Sequence, residues 1–413
     1  MKILQVSTSD IKGGAARAAY RLHKALLSEN IETQMLVQNK SNDDYTVLGP
    51  TTKFKRLIGL LRPTLDTISL RKYKNRTKTL FSLGGLGFSG VVDKINDINP
   101  DIVHLHWVNG GMIRIEDIKK IKAPIIWSLH DNWVFTGGCH IMWDCEKYKN
   151  SCGACPRLGS SKEKDLSRKV FLRKKKVFSS KKDIVIVGLS KWITKCSKNS
   201  SLLKDKKHIT LPNPIDINIF KPFDKERSRE LWNLPKKKKL LLFGAMNATS
   251  DINKGFLELS GAIKKLRREM ELELVIFGSS KPEKEPELGF KVHYVGNLHD
   301  NVSLVTLYSA IDVMVVPSLQ ESFGQTASEA MACKTPVVAF RHTGLLDIID
   351  HKINGYLAKP FDVADLSRGI EWVLSTNKYQ ELCQNARVKV IKEFDSIIVS
   401  KKYINLYQSI LDS

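Results

Sequence analysis

Residues 317–340 read PSLQESFGQTASEAMACKTPVVAF. The run that enters them, DVMVVPS at 312–318, is apolar and β-branched, the composition of a strand buried in a sheet. It stops at Ser318, and two glutamates follow, Glu321 and Glu329, eight positions apart with a Phe-Gly pair between them. A helix is expected to start near Phe323 and run through GQTASEAMAC. Glu321 then lies in the strand-to-helix loop and Glu329 about two turns into the helix, so the two carboxylates serve different groups. The amides of Phe323, Gly324 and Gln325 stand at the helix N-terminus, where unpaired N–H groups and the helix dipole stabilise a diphosphate. A loop glutamate beside that point accepts hydrogen bonds from sugar hydroxyls, and one farther along grips another diol. The plain alternative is a surface helix with two incidental acids.

Short apolar runs alternate with amphipathic stretches along the whole chain, the rhythm of parallel sheets. KILQVST, TQMLVQ, DIVHLHW, PIIWSLH and DIVIVGLS form a first set of strands. After a proline- and charge-rich stretch that begins LPNPIDINIFKPFDKE, a second set follows: LLLFGA, LELVIFG, VHYVG, DVMVVPS and PVVAF. At 413 residues the chain suits two domains. The expected fold is α/β, two doubly wound Rossmann-like domains facing a cleft, with the boundary in 211–222. The domains are read as 1–211 and 212–395, with a C-terminal helix at 396–413 packing back onto the first.

Ligands of such sheets bind beyond the carboxyl ends of the strands. The first strand leads into STSDIKGGAARAAYRL, where Gly13 and Gly14 let the backbone approach a ligand and a helix from about Ala15 aims its amides at the same place. A tight turn would read the same way.

Lys and Arg number 66 against 43 Asp and Glu, a net charge of +23, so an anionic partner is expected. Two blocks, 53–78 and 168–182, interleave bases with Leu, Ile, Val or Phe. That mixture suits an anionic membrane surface, and equally a solvated helix face. Nucleic acid ranks last, because neither block carries base-stacking aromatic platforms. No run approaches the ~18 apolar residues of a membrane span, and MKILQVSTSD turns polar too soon for a signal peptide, so a cytoplasmic protein is expected.

The Glu, seven residues, Glu pattern within SLQESFGQTASEAMACKTPVVA closely resembles the donor-site motif of the retaining glycosyltransferases of family 4, two-domain enzymes of GT-B fold. KILQVSTSDIKGGAARAAYRL resembles the family's glycine-loop N-terminus, LPNPIDINIFKP its interdomain segment, NKGF its Lys-Gly phosphate clamp and TGLLDIIDHKINGYL its downstream segment. The matches span residues 2 to about 374. The resemblance implies that Glu321 meets donor-sugar hydroxyls and supports positive charge at the anomeric carbon, and that Glu329 holds the ribose. It implies that Lys254 neutralises the leaving diphosphate, with Ser322, Phe323, Gly324 and Gln325 lining the same site. Gly13 and Gly14 would face phosphates or acceptor, Gly244 would close the first strand of the donor domain, and His130, ending PIIWSLH, would point at the sugar. A lone histidine at a strand end is otherwise more often structural. Ala245 stands where the family usually has an arginine, with Asn247, Thr249 or Ser250 as candidate substitutes, and Asp347 where a glutamate is usual. No cofactor is required for transfer in this family.

GGCHIMWDCEKYKNSCGACPRL gathers Cys139, Cys145, Cys152 and Cys155, four of the chain's 7 cysteines, into 17 residues. In a reducing compartment four thiolates can close a tetrahedral, non-catalytic zinc site, with His140 as a substitute ligand; free or redox-active thiols are the alternative. The remaining cysteines read as buried core.

The reading as a whole is a retaining hexosyltransferase-type glycosyltransferase. It would move a sugar from a nucleotide-sugar donor to a hydroxyl of a lipid-linked glycan acceptor in bacterial surface-polysaccharide biosynthesis, peripheral on the cytoplasmic face of the membrane. The alternatives are a nucleotide-sugar epimerase or phosphorylase of the same fold, or a basic zinc-stabilised nucleic-acid-binding protein.

Overall fold

The computed structural model describes residues 1–412 apart from 88, 268 and 284. Ser413, the last residue of the expected C-terminal helix, lies outside them. The chain divides into two compact units, one of Met1–Pro214 with the residues from Val399 onward, the other of Ile215–Ile398.

The first unit is built on seven strands: β1 (Lys2–Ser9), β2 (Glu32–Asn39), β3 (Val47–Leu48), β4 (Ile102–Leu105), β5 (Ile125–Leu129), β6 (Ile184–Gly188) and β7 (Lys207–Thr210). They pair in parallel in the order β3-β2-β1-β4-β5-β6-β7. β4, β5 and β6 are buried along their whole length, which is why they read as continuous apolar runs rather than as alternating ones. The second unit carries β8 (Lys239–Gly244), β9 (Leu272–Phe277), β10 (Val292–Tyr294), β11 (Val313–Val316), β12 (Val337–Phe340) and β13 (Gly355–Ala358), all parallel, in the order β10-β9-β8-β11-β12-β13. In both sheets the order reverses beside the first strand, the doubly wound arrangement.

Helix Ser396–Leu411 returns to the first sheet. Its Val399, Tyr403, Leu406 and Tyr407 fall on one face at helical spacing and pack against Ile3, Leu22, Ile102 and Ile126.

The two basic blocks part company in the structure. In helix Leu166–Ser180, Val170, Phe171, Val177 and Phe178 are core residues, so most of its apolar positions face inward, Leu172 being the exposed exception, while most of its bases meet water and Lys174 is buried. In helix Lys53–Asp66, Phe54, Leu57, Leu60, Leu61 and Leu65 are all exposed beside Lys53, Lys55 and Arg56. Among the described residues no helix is long and apolar enough to cross a membrane.

Candidate active site

β11 ends at Val316, and residues 317–324 form the loop into helix Gln325–Ala332. Gly324 caps this helix with φ 106°, and a Cβ there would stand 2.7 Å from a Leu345 methyl, so the position needs glycine. This left-handed residue also delays the helix, which begins at Gln325 rather than near Phe323. Phe323 is instead buried, its ring edge-on to Phe394 at 5.3 Å. Ser322 and Gln325 stay partly exposed on either side. Glu329 falls about one turn into the helix, not two, and is buried, accepting from the Tyr308 hydroxyl at 3.0 Å and the Gln325 amide at 3.4 Å.

A second loop closes on the first. After β8 ends at Gly244, the chain turns through 245–251 into a single 3-10 turn, Ile252–Lys254. Gly255 then takes φ 73° with its α-carbon so close to Pro317 that a Cβ would lie 2.0 Å from that carbonyl oxygen. Leu319 donates its N–H to the Asn253 carbonyl at 2.9 Å, and the Asn253 amide donates to the Gln320 carbonyl at 2.9 Å. These bonds fix the two loops in register and bring Lys254 Nζ to 2.8 Å from Glu321 Oε1, although 67 positions separate them in sequence. Burial disfavours the ammonium, but the Glu321 carboxylate outweighs it, and Lys254 is held above the usual lysine range. From the other side Thr343 Oγ1 accepts the Glu321 N–H at 3.0 Å and Gly344 donates to the Glu321 carbonyl at 2.9 Å. Of the candidate substitutes for the missing arginine, Thr249 bonds Ser279 at 2.6 Å, and Asn247 uses its carbonyl to turn the loop.

In the first unit Gly13 takes φ 97° and caps helix Gly14–Ser28. His130 directly follows β5 and joins a buried network that sequence reasoning missed. His130 Nε2 meets His106 Nδ1 at 2.9 Å, and His106 Nε2 meets Gln5 Oε1 at 2.5 Å. With the Gln5 oxygen as acceptor, His106 carries its proton on Nε2 and accepts from His130 Nε2–H, so Nδ1 of His130 is left as an acceptor. His104 stacks on His106 at 4.2 Å and bonds Tyr407 and Ser128, each at 2.8 Å. Burial pushes His130 down to about 4 and His104 to about 3, so both rings are neutral at physiological pH. The available signal was HLH at 104–106, across the end of β4: two histidines at alternate positions, which share a face in extended chain, one strand away from His130.

Next to this network Asp131 accepts from His140 Nδ1 at 2.6 Å, Trp107 Nε1 at 2.8 Å and the Trp133 N–H at 2.8 Å. His140 Nε2 meets Ser82 Oγ at 2.8 Å, so both of its ring nitrogens are engaged and it is not a substitute metal ligand, against expectation. Cys139, Cys145, Cys152 and Cys155 line one cavity. Their tetrahedral convergence is not formed: among the described residues no three His, Cys, Asp or Glu side chains stand where they could hold a metal ion. Burial pushes Cys152 up to about 12 and raises Cys139 and Cys155, and neutral thiols have no charge to gather them.

Residues 224–389, which contain Lys254, Glu321 and Glu329, match the family model described as Glycosyl transferases group 1. An uncharacterized glycosyltransferase of Methanocaldococcus jannaschii is 26% identical over 346 residues, 76% of this chain and 86% of that one. A D-inositol 3-phosphate glycosyltransferase of Catenulispora acidiphila is 31% identical over 294 residues, 66% of this chain and 62% of that one, so the alignment leaves over a third of that relative unmatched. Among solved structures, Anabaena HepE in complex with UDP and glucose superimposes with TM-score 0.69 at 16% identity, covering 99% of this chain and 100% of that one, a likeness of fold alone. The two parallel-sheet domains are of the GT-B type. Glycosyltransferases of this group generally need no cofactor.

Proposed function

We propose that the protein is a glycosyltransferase that moves a sugar from a nucleotide-sugar donor to a hydroxyl of a lipid-linked glycan, with retention of anomeric configuration, during surface-polysaccharide assembly. The observation that carries the reading is the Lys254–Glu321 pair at 2.8 Å, held beside the N-terminus of helix Gln325–Ala332. A cation and a row of helix N–H groups together suit a diphosphate, while a carboxylate a few ångströms away suits sugar hydroxyls and a developing oxocarbenium charge. In this mechanism Lys254 turns from Glu321 to the diphosphate as charge grows on the leaving group. Glu321, held by Thr343 and Gly344 through its backbone, faces the sugar. The departing diphosphate takes the acceptor proton, so the protein supplies position and charge rather than a strong base. Glu329 holds the ribose, and Ser322, Phe323, Gly324 and Gln325 line the donor site. Gly244 packs its α-carbon against the Phe277 ring to keep that strand end tight. Gly13, Gly14 and His130 belong to the acceptor side, where a neutral His130 offers Nδ1 to a sugar hydroxyl.

The membrane component of the proposal rests on helix Lys53–Asp66, whose exposed leucines and lysines have the makeup of an interfacial helix at an anionic surface. The test of donor class is a thermal-shift panel of UDP-, GDP-, ADP- and dTDP-sugars. A donor at a hundred times its Kd stabilises the native state by ~2.7 kcal/mol. A panel in which no nucleotide sugar raises Tm, with nucleic acid raising it instead, would overturn the reading.

A further inference from the structure

The hydrogen-bond chain that ends at His130 starts on the C-terminal helix, Ser396–Leu411, at Tyr407. Tyr407, Gln5, His104 and His106 are all buried. The Gln5 amide nitrogen can only donate, and it donates to the Tyr407 hydroxyl at 3.4 Å, which leaves Gln5 Oε1 to face His106 Nε2 at 2.5 Å. Tyr407 bonds His104 Nδ1 at 2.8 Å, His104 Nε2 bonds Ser128 Oγ at 2.8 Å, and Ser128 meets the Tyr403 hydroxyl at 3.3 Å. Donation therefore has one direction throughout. On one arm Gln5 donates to Tyr407, Tyr407 to His104 and His104 to Ser128; on the other, His130 donates to His106 and His106 to Gln5. Every imidazole in the chain carries one proton, and the bond made by one ring nitrogen decides the state of the other. Turning the Gln5 amide over would set its N–H against His106 and reverse the protons of His106 and His130 together. His130 Nδ1, which has no partner among the described residues, would then be a donor instead of an acceptor.

His130 and Asp131 follow one another at the carboxyl end of β5, where ligands of such sheets bind, and both are partly exposed. The Asp131 side chain is 20% exposed, and three N–H groups, from His140, Trp107 and Trp133, fix its two oxygens. Burial opposes its charge, but the His140 ring and these donors outweigh it and hold the carboxyl below the usual range. At neutral pH it too can only accept. The strand end thus presents two hydrogen-bond acceptors and no donor. Such an edge is satisfied by hydroxyl hydrogens. A carboxylate or phosphate oxygen placed there would bring lone pairs against lone pairs and a negative charge against a negative charge, and would leave its own desolvated oxygens without a partner.

We propose that Tyr407, Gln5 and His106 are positioning residues that hold His130 protonated on Nε2, and that the edge this leaves, His130 Nδ1 with the Asp131 carboxylate, binds the receiving glycan through a neutral sugar with free hydroxyls and excludes an acidic one. The C-terminal helix then has a second task besides packing. Through one hydroxyl it orients the amide of Gln5, and that amide orders the protons of two histidines on its far side. That the ligand is a sugar rests on the function proposed above; the proton order does not.

The test is nitrogen-15 NMR of the full chain labelled in histidine, with the His130 signals assigned by their loss in His130→Gln. The expected wild-type result at neutral pH is a protonated Nε2 and a bare Nδ1. Tyr407→Phe removes the group that holds the Gln5 amide and should shift His130 toward the Nδ1-protonated form. Tyr403→Phe, which takes the same hydroxyl from the adjacent turn of the same helix, should leave the tautomer unchanged, so lost packing is separated from lost orientation. Neutral methyl glycosides should move the Nδ1 signal as it accepts a hydroxyl, matched uronates should not, and Asp131→Asn should narrow that difference. If Tyr407→Phe fails to fold, the wild-type tautomer and its response to sugars still decide. A wild-type His130 protonated on Nδ1, an unchanged tautomer in folded Tyr407→Phe, neutral glycosides that leave Nδ1 unmoved, or a uronate that moves it as far as its neutral counterpart would each overturn the inference. The two readings fail separately: the wrong tautomer in a protein that a nucleotide sugar stabilises removes this inference alone, whereas the expected signals in a protein that no nucleotide sugar stabilises support the proton order and remove the proposed function.

Discussion

Lys254→Ala separates what the Lys254–Glu321 pair does for the fold from what it does for turnover. The two side chains are 23% and 18% exposed, so water screens part of their attraction, and the pair contributes about 1 kcal/mol to stability. In a unit of this size that is a Tm change of ~2–4 °C. In the reaction the same ammonium meets charge that grows only as the glycosidic bond breaks. Losing one preorganised charge contact of that kind costs ~10² to 10³ in kcat, or roughly 2.7–4 kcal/mol. The expected signature is therefore a small loss of stability with a large loss of turnover. Glu321→Gln should behave alike, since the amide keeps the shape and loses the charge facing the sugar. The double variant should lose less than the product of the single losses, because each single change leaves the other charge without its partner. The assay is steady-state kinetics with the donor identified by thermal shift, alongside circular dichroism and melting curves. A folded Lys254→Ala with kcat within about threefold of wild type would refute the reasoning and reduce the pair to a structural one.

Glu329→Gln should behave differently: Tyr308 can still donate to the amide oxygen, so the fold survives, and donor KM should rise about tenfold with kcat nearly unchanged if the residue serves ribose binding; a kcat loss at constant KM would contradict that role. Vesicle sedimentation should find the protein on anionic lipid at low salt and released as salt rises, and Leu60→Glu with Leu61→Glu should weaken binding while shifting stability by no more than about 0.5 kcal/mol, both side chains being exposed. Equal binding to neutral vesicles would remove the electrostatic part. Stability should also fall with acid. His23 and His130 are depressed by burial to about 4 and His104 to about 3, against 6.5 when unfolded, so the unfolded chain binds more protons between pH 6.5 and about 4. Stability is full above pH 6.5 and drops across that window by up to about 1.4 kcal/mol per pH unit for each histidine. A Tm flat from pH 7 to 4.5 would show that these rings are not buried neutral.

Local sequence determined the elements whose signal is local. Buried parallel strands such as Ile125–Leu129 and Val313–Val316 announce themselves as apolar runs because neighbours cover both faces. The strands that went unread, β3, β7 and β13, are two to four residues long and lie at sheet edges, where only the neighbouring strand makes them strands. NKGF and the two-glutamate stretch were each legible by themselves, but their contact was not. That the Lys254 ammonium rests on Glu321 depends on Gly255 turning left-handed against the Pro317 carbonyl, a relation across 62 positions that no spacing rule contains. The second basic block shows the same limit from the other side. Its composition equals that of an interfacial helix, and only packing decides that Val170, Phe171 and Phe178 face the core, while Leu57, Leu60 and Leu61 of the first block face water. The histidine network is the clearest case of a tertiary decision. Gln5 lies on β1, while His106 and His130 follow directly on β4 and β5, and the parallel pairing of these three strands brings the three side chains, far apart in sequence, within hydrogen-bonding distance.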